Sequence, residues 1–281
     1  MRRIASTTLP LGKRRKVGYT WRMDLQLRDK VALVTGGSRG LGRAISLGLA
    51  AEGVKIAVSY YRDPEKGLDF AAEAAAVIEE IRRSGAAALA VSGDVTSPAD
   101  VQQMFHLAEA GLGPLDILIN NAGIWPAAAV KDMSDEQWQA TLSVNLSGPF
   151  LTCREAVRRW LDARRRGRIV NIVSQAAFHG STSGHADYAA AKAGVVAFTV
   201  SLAREVAPHG IHVNAVAPGM MTTEMAREAL DKDLQRYLDR IPLRRIADPA
   251  EVACVVVFLA SPRASYMTGA TVDVTGGMLM R

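Results

Sequence analysis

The sequence predicts a doubly wound α/β domain: a parallel sheet of seven strands with helices on both faces. Three observations predict it. From Lys30 onward, short β-branched runs alternate with longer Ala-rich stretches of helical period. No internal repeat interrupts the alternation, and strand-helix-strand units of this kind close by right-handed crossovers into a parallel sheet covered on both sides. The residues of greatest chemical interest fall just after the apolar runs, at the carboxyl ends of the expected strands, where such sheets bind ligands.

The strands are expected at residues 31–35, 55–59, 87–92, 117–120, 167–173, 212–217 and 271–274, with a helical segment in each of the six intervals. Gly36 follows the first, Asp94 the third, Asn121 to Gly123 the fourth, Ser174 the fifth and Pro218-Gly219 the sixth. The chain has 281 residues, 49% of them hydrophobic and only 6% aromatic, which suits one large core of Ala, Val, Leu and Gly. A single domain over residues 23–281 is therefore expected. No apolar run reaches the roughly 18 residues that span a bilayer. Cys153 and Cys254 fall in separate expected helices, giving neither a disulfide framework nor a metal site, so a reducing, cytoplasmic setting is the simpler expectation.

The formal charge of +6 invites a nucleic-acid reading until it is mapped. Residues 1–22 hold Arg2, Arg3, Lys13, Arg14, Arg15, Lys16 and Arg22 and no acid, which leaves the remainder close to neutral. The basicity belongs to this extension, which lacks an apolar period, carries Pro10, Gly12 and Gly18, and is expected to be disordered. Three readings of it stand open: an upstream start ahead of Met23, a functional basic tail, or an Arg-rich transit segment.

The first strand runs into Gly36-Gly37-Ser38-Arg39-Gly40-Leu41-Gly42, which opens a helix. Glycines there permit a tight turn and close backbone approach, and the free N–H groups at a helix start attract a pyrophosphate. NAD-binding sheets place an acid at the end of the second strand, about 20 residues on, to hold the ribose 2′-hydroxyl. Tyr60 stands there instead, with no carboxylate before Asp63, while Arg39 and Arg62 are placed to pair with a 2′-phosphate. NADP(H) is the cofactor these residues favour.

Tyr188 and Lys192 stand four apart in a helical stretch, so the phenol and the ammonium share a face. A free tyrosine, with a pKa of about 10, is a sluggish acid or base near neutrality. A fixed cation beside it favours phenolate and brings it toward the working range.

Together, Thr35 to Gly42, Asp94-Val95, Asn120-Asn121-Ala122-Gly123, Asn145, Ser174, Tyr188-xxx-Lys192 and Pro218-Gly219 resemble the marks of the short-chain dehydrogenase/reductase family, with its Rossmann-type sheet, over residues 25–281. The resemblance implies that Asp94 and Val95 contact the adenine, that Asn121, Ala122 and Gly123 line the cofactor cleft, and that Met221 and Thr223 meet the nicotinamide carboxamide. It implies that Tyr188 protonates the substrate oxygen, Lys192 lowers the tyrosine pKa and holds the nicotinamide ribose, Ser174 hydrogen-bonds the carbonyl, and Asn145 anchors a water. The interval from Ser174 to Tyr188 is one residue longer than is usual in the family. A Gly/Ser-rich loop at residues 178–184 absorbs it, and His179 and His185 in this region are candidates for substrate contact.

Within the family, the stretches around Tyr188, Ser201 to Val206, Asn214 to Gly219 and Asp273 to Met278 are most similar to 3-oxoacyl-[acyl-carrier-protein] reductases. That similarity implies a cytoplasmic, homotetrameric, NADPH-dependent reductase of 3-oxoacyl thioesters. Arg159 and Arg204, with Arg164 to Arg166, match a basic surface for an acidic carrier protein. Met220, Met221 and Met225 lie in the family's substrate lid, where flexible thioethers adapt to an acyl chain. Alternatives are the same chemistry on a sugar, an alcohol or a secondary-metabolite ketone, and a non-catalytic NADP(H) sensor or scaffold.

Overall fold

The computed structural model describes residues 23–181 and 183–281. The expected basic extension, residues 1–22, lies outside them, as does Thr182. Seven strands form one sheet: β1 (Val31–Val34), β2 (Lys55–Tyr60), β5 (Ala88–Ser92), β6 (Ile117–Asn120), β7 (Gly167–Ile172), β8 (Ile211–Pro218) and β9 (Thr271–Val274). Their order is β5-β2-β1-β6-β7-β8-β9, and every neighbouring pair is parallel. Each strand lies within one residue of its expected bounds at both ends. The interior strands β1, β2, β6, β7 and β8 are legible because they are covered on both faces, so most of their residues are apolar.

Successive side chains of β1 alternate between the two layers. Ala32 and Val34 point into a core shared with helices α1 (Gly40–Ala51), α2 (Ala71–Arg83) and α9 (Pro249–Ala260). Val31 and Leu33 point into the opposite core, shared with α3 (Pro98–Leu112), α5 (Gly148–Asp162) and α7 (Ala186–Val206). Helix starts follow local chemistry: the Ser97 side chain accepts from Asp100 N, and Asp248 forms a capping box with Glu251, each ahead of a proline in the first turn. No helix among the described residues is long and apolar enough to cross a membrane.

Three features had no sequence signal. Residues 62–69 form a small antiparallel hairpin, β3 (Arg62–Asp63) and β4 (Leu68–Asp69), closed by a 3₁₀ turn at Pro64–Lys66. The crossover from β6 to β7 carries α4 (Asp135–Leu142) and a π-turn, Ser143–Ser147, that runs straight into α5. The third is the single turn α6 (Ala176–His179) between β7 and α7; with α8 (Arg227–Arg240), where the amphipathic stretch after Met225 runs to Leu238, it makes several of the six expected helical segments compound.

The sheet order places its first strand in the middle. The chain leaves β1 toward β2 and returns to add β6 on the other side, so a crevice opens between the carboxyl ends of β1 and β6.

Candidate active site

Gly36 adopts φ +60° and Gly40 φ +51°, conformations that side-chain-bearing residues rarely take. A Cβ on Gly42 would sit 2.1 Å from the Gly36 carbonyl oxygen and 2.5 Å from Asn121 Nδ2, so the turn exists only with glycine there. Arg39, at the N-cap of α1, makes no side-chain cap, which leaves the first-turn N–H groups facing the crevice. Asn121 locks the turn to the neighbouring strand: its Nδ2 donates to the carbonyls of Thr35 and Gly36, each at 3.0 Å, and its N–H donates to Thr35 Oγ1.

One cavity of about 1030 Å³ runs from this turn across the strand ends. Gly36, Ser38, Arg39, Gly40, Leu41, Gly42, Asp94, Val95, Asn121, Ala122, Gly123, Asn145, Ser174, Tyr188, Lys192, Pro218, Gly219, Met221 and Thr223 all line it, so the structure brings most of the sequence-derived candidates together.

Tyr60 and Arg62 are not in the cavity wall. Tyr60 packs against the core under α1 and α2, and Arg62 Nε lies 3.0 Å from Asp69 across the hairpin. Tyr61, Lys66 and Phe70 line the cavity in their place, and Arg39 lies over the Phe70 ring, 3.9 Å from its centroid. The hairpin moves the charged group of this end from the strand terminus to Lys66, a shift that two-residue strands do not announce in sequence. Lys66 also pairs with Asp63 at 2.9 Å, and the Tyr61 hydroxyl donates to the same carboxylate at 2.9 Å.

At the other end stand the hydroxyls. The Ser174 hydroxyl beside Tyr188 favours phenolate, yet burial is the larger influence and pushes the phenol up to about 12. Tyr188 keeps part of its surface open to the cleft. Lys192 Nζ donates to the Ile172 carbonyl at 2.8 Å and lies 5.6 Å from the Tyr188 ring centroid. Burial lowers its pKa to about 8. The expected lowering of the tyrosine by the lysine is therefore not what the protein's own groups produce in this structure; desolvation governs both.

Asn145 sits in the π-turn, fully buried, and its Nδ2 donates to the carbonyls of Ile124 (3.0 Å) and Thr141 (3.1 Å). Its Oδ1 has no partner and lies 2.7 Å from where a Cβ on Gly123 would stand. The wide turn makes this placement, since an α-helical register would carry the side chain elsewhere.

Asp187 is a residue the sequence reading missed. Its side chain is wholly buried and forms no ion pair among the described residues. Oδ2 accepts from Thr141 Oγ1 at 2.8 Å and Gln137 Nε2 at 3.2 Å, and Oδ1 accepts from Tyr188 N at 2.8 Å. Thr141 in turn holds Asn145, so one carboxylate joins the elements that carry Asn145 and Tyr188. An acid in the first turn of a helix reads as an ordinary dipole partner, and only the fold reveals the tie.

Of the loop histidines, His179 lines the cavity, whereas His185 is buried, with Nδ1 2.6 Å from the Pro126 carbonyl and its ring stacked on Trp125. Arg159 is engaged by Glu109 and Glu155, both at 2.6 Å, which weakens it as a free cation for a partner; Arg204 is exposed in the last turn of α7.

Residues 36–279 match the family model described as enoyl-(acyl carrier protein) reductase. The chain is 42% identical, over 90% of its length and 98% of the relative's, to a 3-oxoacyl-[acyl-carrier-protein] reductase of Synechocystis. It superposes on a short-chain type dehydrogenase/reductase from Mycobacterium marinum with a TM-score of 0.85 and 34% identity, covering 92% and 98% of the two chains. The chain belongs to the short-chain dehydrogenase/reductase family. It is an oxidoreductase acting on CH-OH or keto groups, and the family binds a nicotinamide cofactor. A further similar structure is an actinorhodin polyketide ketoreductase variant crystallised with NADPH, with a TM-score of 0.81 and 33% identity over 89% of this chain and 97% of that one.

Proposed function

We propose that this short-chain dehydrogenase/reductase reduces the ketone of a 3-oxoacyl thioester, carried by acyl carrier protein or coenzyme A, to the 3-hydroxyacyl form with NADPH. The observation that carries the reading is the convergence of Ser174, Tyr188, Lys192 and Asn145 on one cavity that also holds the glycine turn. The residues fit a dinucleotide: a Gly42 Cβ would fill the cradle, and the first-turn N–H groups of α1 are uncapped. Ser38 to Gly42 would hold its pyrophosphate, Asp94 and Val95 its adenine, and Met221 and Thr223 its carboxamide end. Arg39, stacked on Phe70, and Lys66 would take a 2′-phosphate, which is why NADP is favoured over NAD. When bound, the cofactor supplies a hydride.

The chain's own residues manage the proton. Ser174 and Tyr188 present two hydroxyls to the ketone oxygen, and Tyr188 delivers its proton there. Lys192 and the unpartnered Asn145 Oδ1 hold the route by which Tyr188 is reprotonated. The Tyr188 phenol carries its proton at neutral pH, the form from which it donates to the ketone oxygen.

The test is turnover of reduced nicotinamide with acetoacetyl and crotonyl thioesters beside a panel of sugars and simple ketones. NADPH-dependent turnover of acetoacetyl thioester alone supports the reading. Reduction of crotonyl thioester instead favours the enoyl chemistry named by the family model, and turnover of only other ketones keeps the mechanism and removes the substrate.

A further inference from the structure

The cavity wall contains four lysine or arginine side chains, and three have partners within the protein: Arg39 the Phe70 ring, Lys66 Asp63, and Lys192 the Ile172 carbonyl. The fourth, Arg240, makes no ion pair among the described residues. Its neighbours contrast with it, since Arg244 pairs with Asp239 at 3.0 Å and Arg245 with Glu251 at 2.6 Å. The acids of the wall do not serve it either. Asp94 accepts from Thr96 N and Oγ1, and Glu224 lies against the glycine turn, 3.4 Å from a Cβ built on Gly40.

Arg240 and Tyr237 are three positions apart in the last turn of α8, so they share a face, and they are the only described residues of that helix in the wall. The segment leading into α8 brings Met220, Met221 and Met225 into the same wall. This end therefore offers adaptable apolar surface, a phenol and one uncommitted guanidinium. A small neutral ketone has no use for the last of these. A guanidinium offers a planar fork of donors that matches phosphate oxygens.

We infer that Arg240 recognises the 4′-phosphate of the phosphopantetheine arm by which the thioester is carried, a group common to carrier-protein and coenzyme A substrates. The inference rests on the thioester reading and adds a residue for the handle, leaving the reacting end unchanged. The competing account is that Arg240 only complements the carbonyl end of α8.

The experiment compares three thioesters of the same acyl group, acetoacetyl pantetheine, acetoacetyl 4′-phosphopantetheine and acetoacetyl-coenzyme A, in the wild type, Arg240→Gln and Arg240→Lys. For the wild type, kcat/KM is higher for phosphorylated handles than for bare pantetheine. In Arg240→Gln that ratio falls about fivefold to tenfold, mainly through KM, and Arg240→Lys recovers part of it. Equal loss on the coenzyme A and phosphopantetheine substrates assigns the contact to the shared phosphate, whereas loss on coenzyme A alone moves it to the nucleotide and overturns the inference. An unchanged ratio in Arg240→Gln, with or without a lower Tm, also overturns it and leaves a helix-end cation. Failure of all three thioesters beside turnover of another ketone removes the thioester reading itself, an outcome separate from the unchanged ratio.

Discussion

Replacing Asp187 separates the architecture of this site from its chemistry. Asp187→Ala removes the acceptor for three donors: the Tyr188 N–H, the Thr141 hydroxyl and the Gln137 amide. Gln137 is half-buried and regains water, so it adds little. The other two each cost about 1–3 kcal/mol if left unpaired. Thr141 recovers part of its share by turning to a carbonyl of its own helix, which puts the expected loss at about 2–4 kcal/mol. Activity falls as well, because Thr141 carries Asn145 through its carbonyl at 3.1 Å. A displacement near 1 Å at a reacting group costs about a hundredfold, so kcat should fall tenfold to a hundredfold with little change in KM. Asp187→Asn keeps an oxygen for Tyr188 N and faces its amide to a hydroxyl and an amide that can both turn; it should lose less than about 1 kcal/mol. Denaturant unfolding gives the stability and steady-state kinetics the rate. If Asp187→Ala unfolds within about 0.5 kcal/mol of the wild type and keeps its kcat, the tie between the π-turn and α7 does not operate as described.

Two further outcomes follow from burial and close packing. Burial takes Lys192 from the 10.5 of a free lysine to about 8, so below pH 8 the folded protein holds a charge that is poorly solvated there. The unfolded chain binds more protons than the folded one between these values, and stability therefore rises from pH 8 toward pH 10. Lys192→Met should abolish that rise and gain about 1–2 kcal/mol near pH 7, the relief of at most about 3 kcal/mol being offset by the stranded Ile172 carbonyl, while activity collapses; a rise that persists in urea titrations of the variant would assign it to another group. Gly42→Ala places a Cβ 2.1 Å from the Gly36 carbonyl oxygen, so the turn must open. The variant should lose NADPH binding by fluorescence titration and about 1–3 kcal/mol of stability, and wild-type affinity would show that the turn is not the phosphate cradle.

The sequence carried the fold because burial on both faces fills the interior strands with apolar residues, and it carried the glycine-turn end of the cavity as far as the glycines and Asn121, whose steric and hydrogen-bond demands are local. It did not carry the parts that depend on where the chain bends in space. Residues 62–69 hold no period from which a hairpin follows, so Lys66 and Tyr61 occupy the place that the sequence suggests for Arg62. The π-turn at Asn145 and the carboxylate of Asp187 are each a single residue in helical sequence; their partners lie in other elements, Ile124 for one and Thr141 for the other. Arg159 read as a surface cation for the same reason, since Glu109, its partner from α3, lies 50 positions earlier in the chain.

In the proposed reaction, hydride reaches the ketone carbon of a 3-oxoacyl thioester while Tyr188 supplies the proton. Reducing acetoacetyl thioester with NADPH deuterated at the transferring position, and locating the label in the product, tests it most directly. Deuterium is expected on carbon 3 of a 3-hydroxybutyryl thioester, with a Tyr188→Phe rate lower by at least about a hundredfold, as loss of a general acid requires. Label elsewhere in the product, or a Tyr188→Phe enzyme within a few-fold of the wild type, would contradict it.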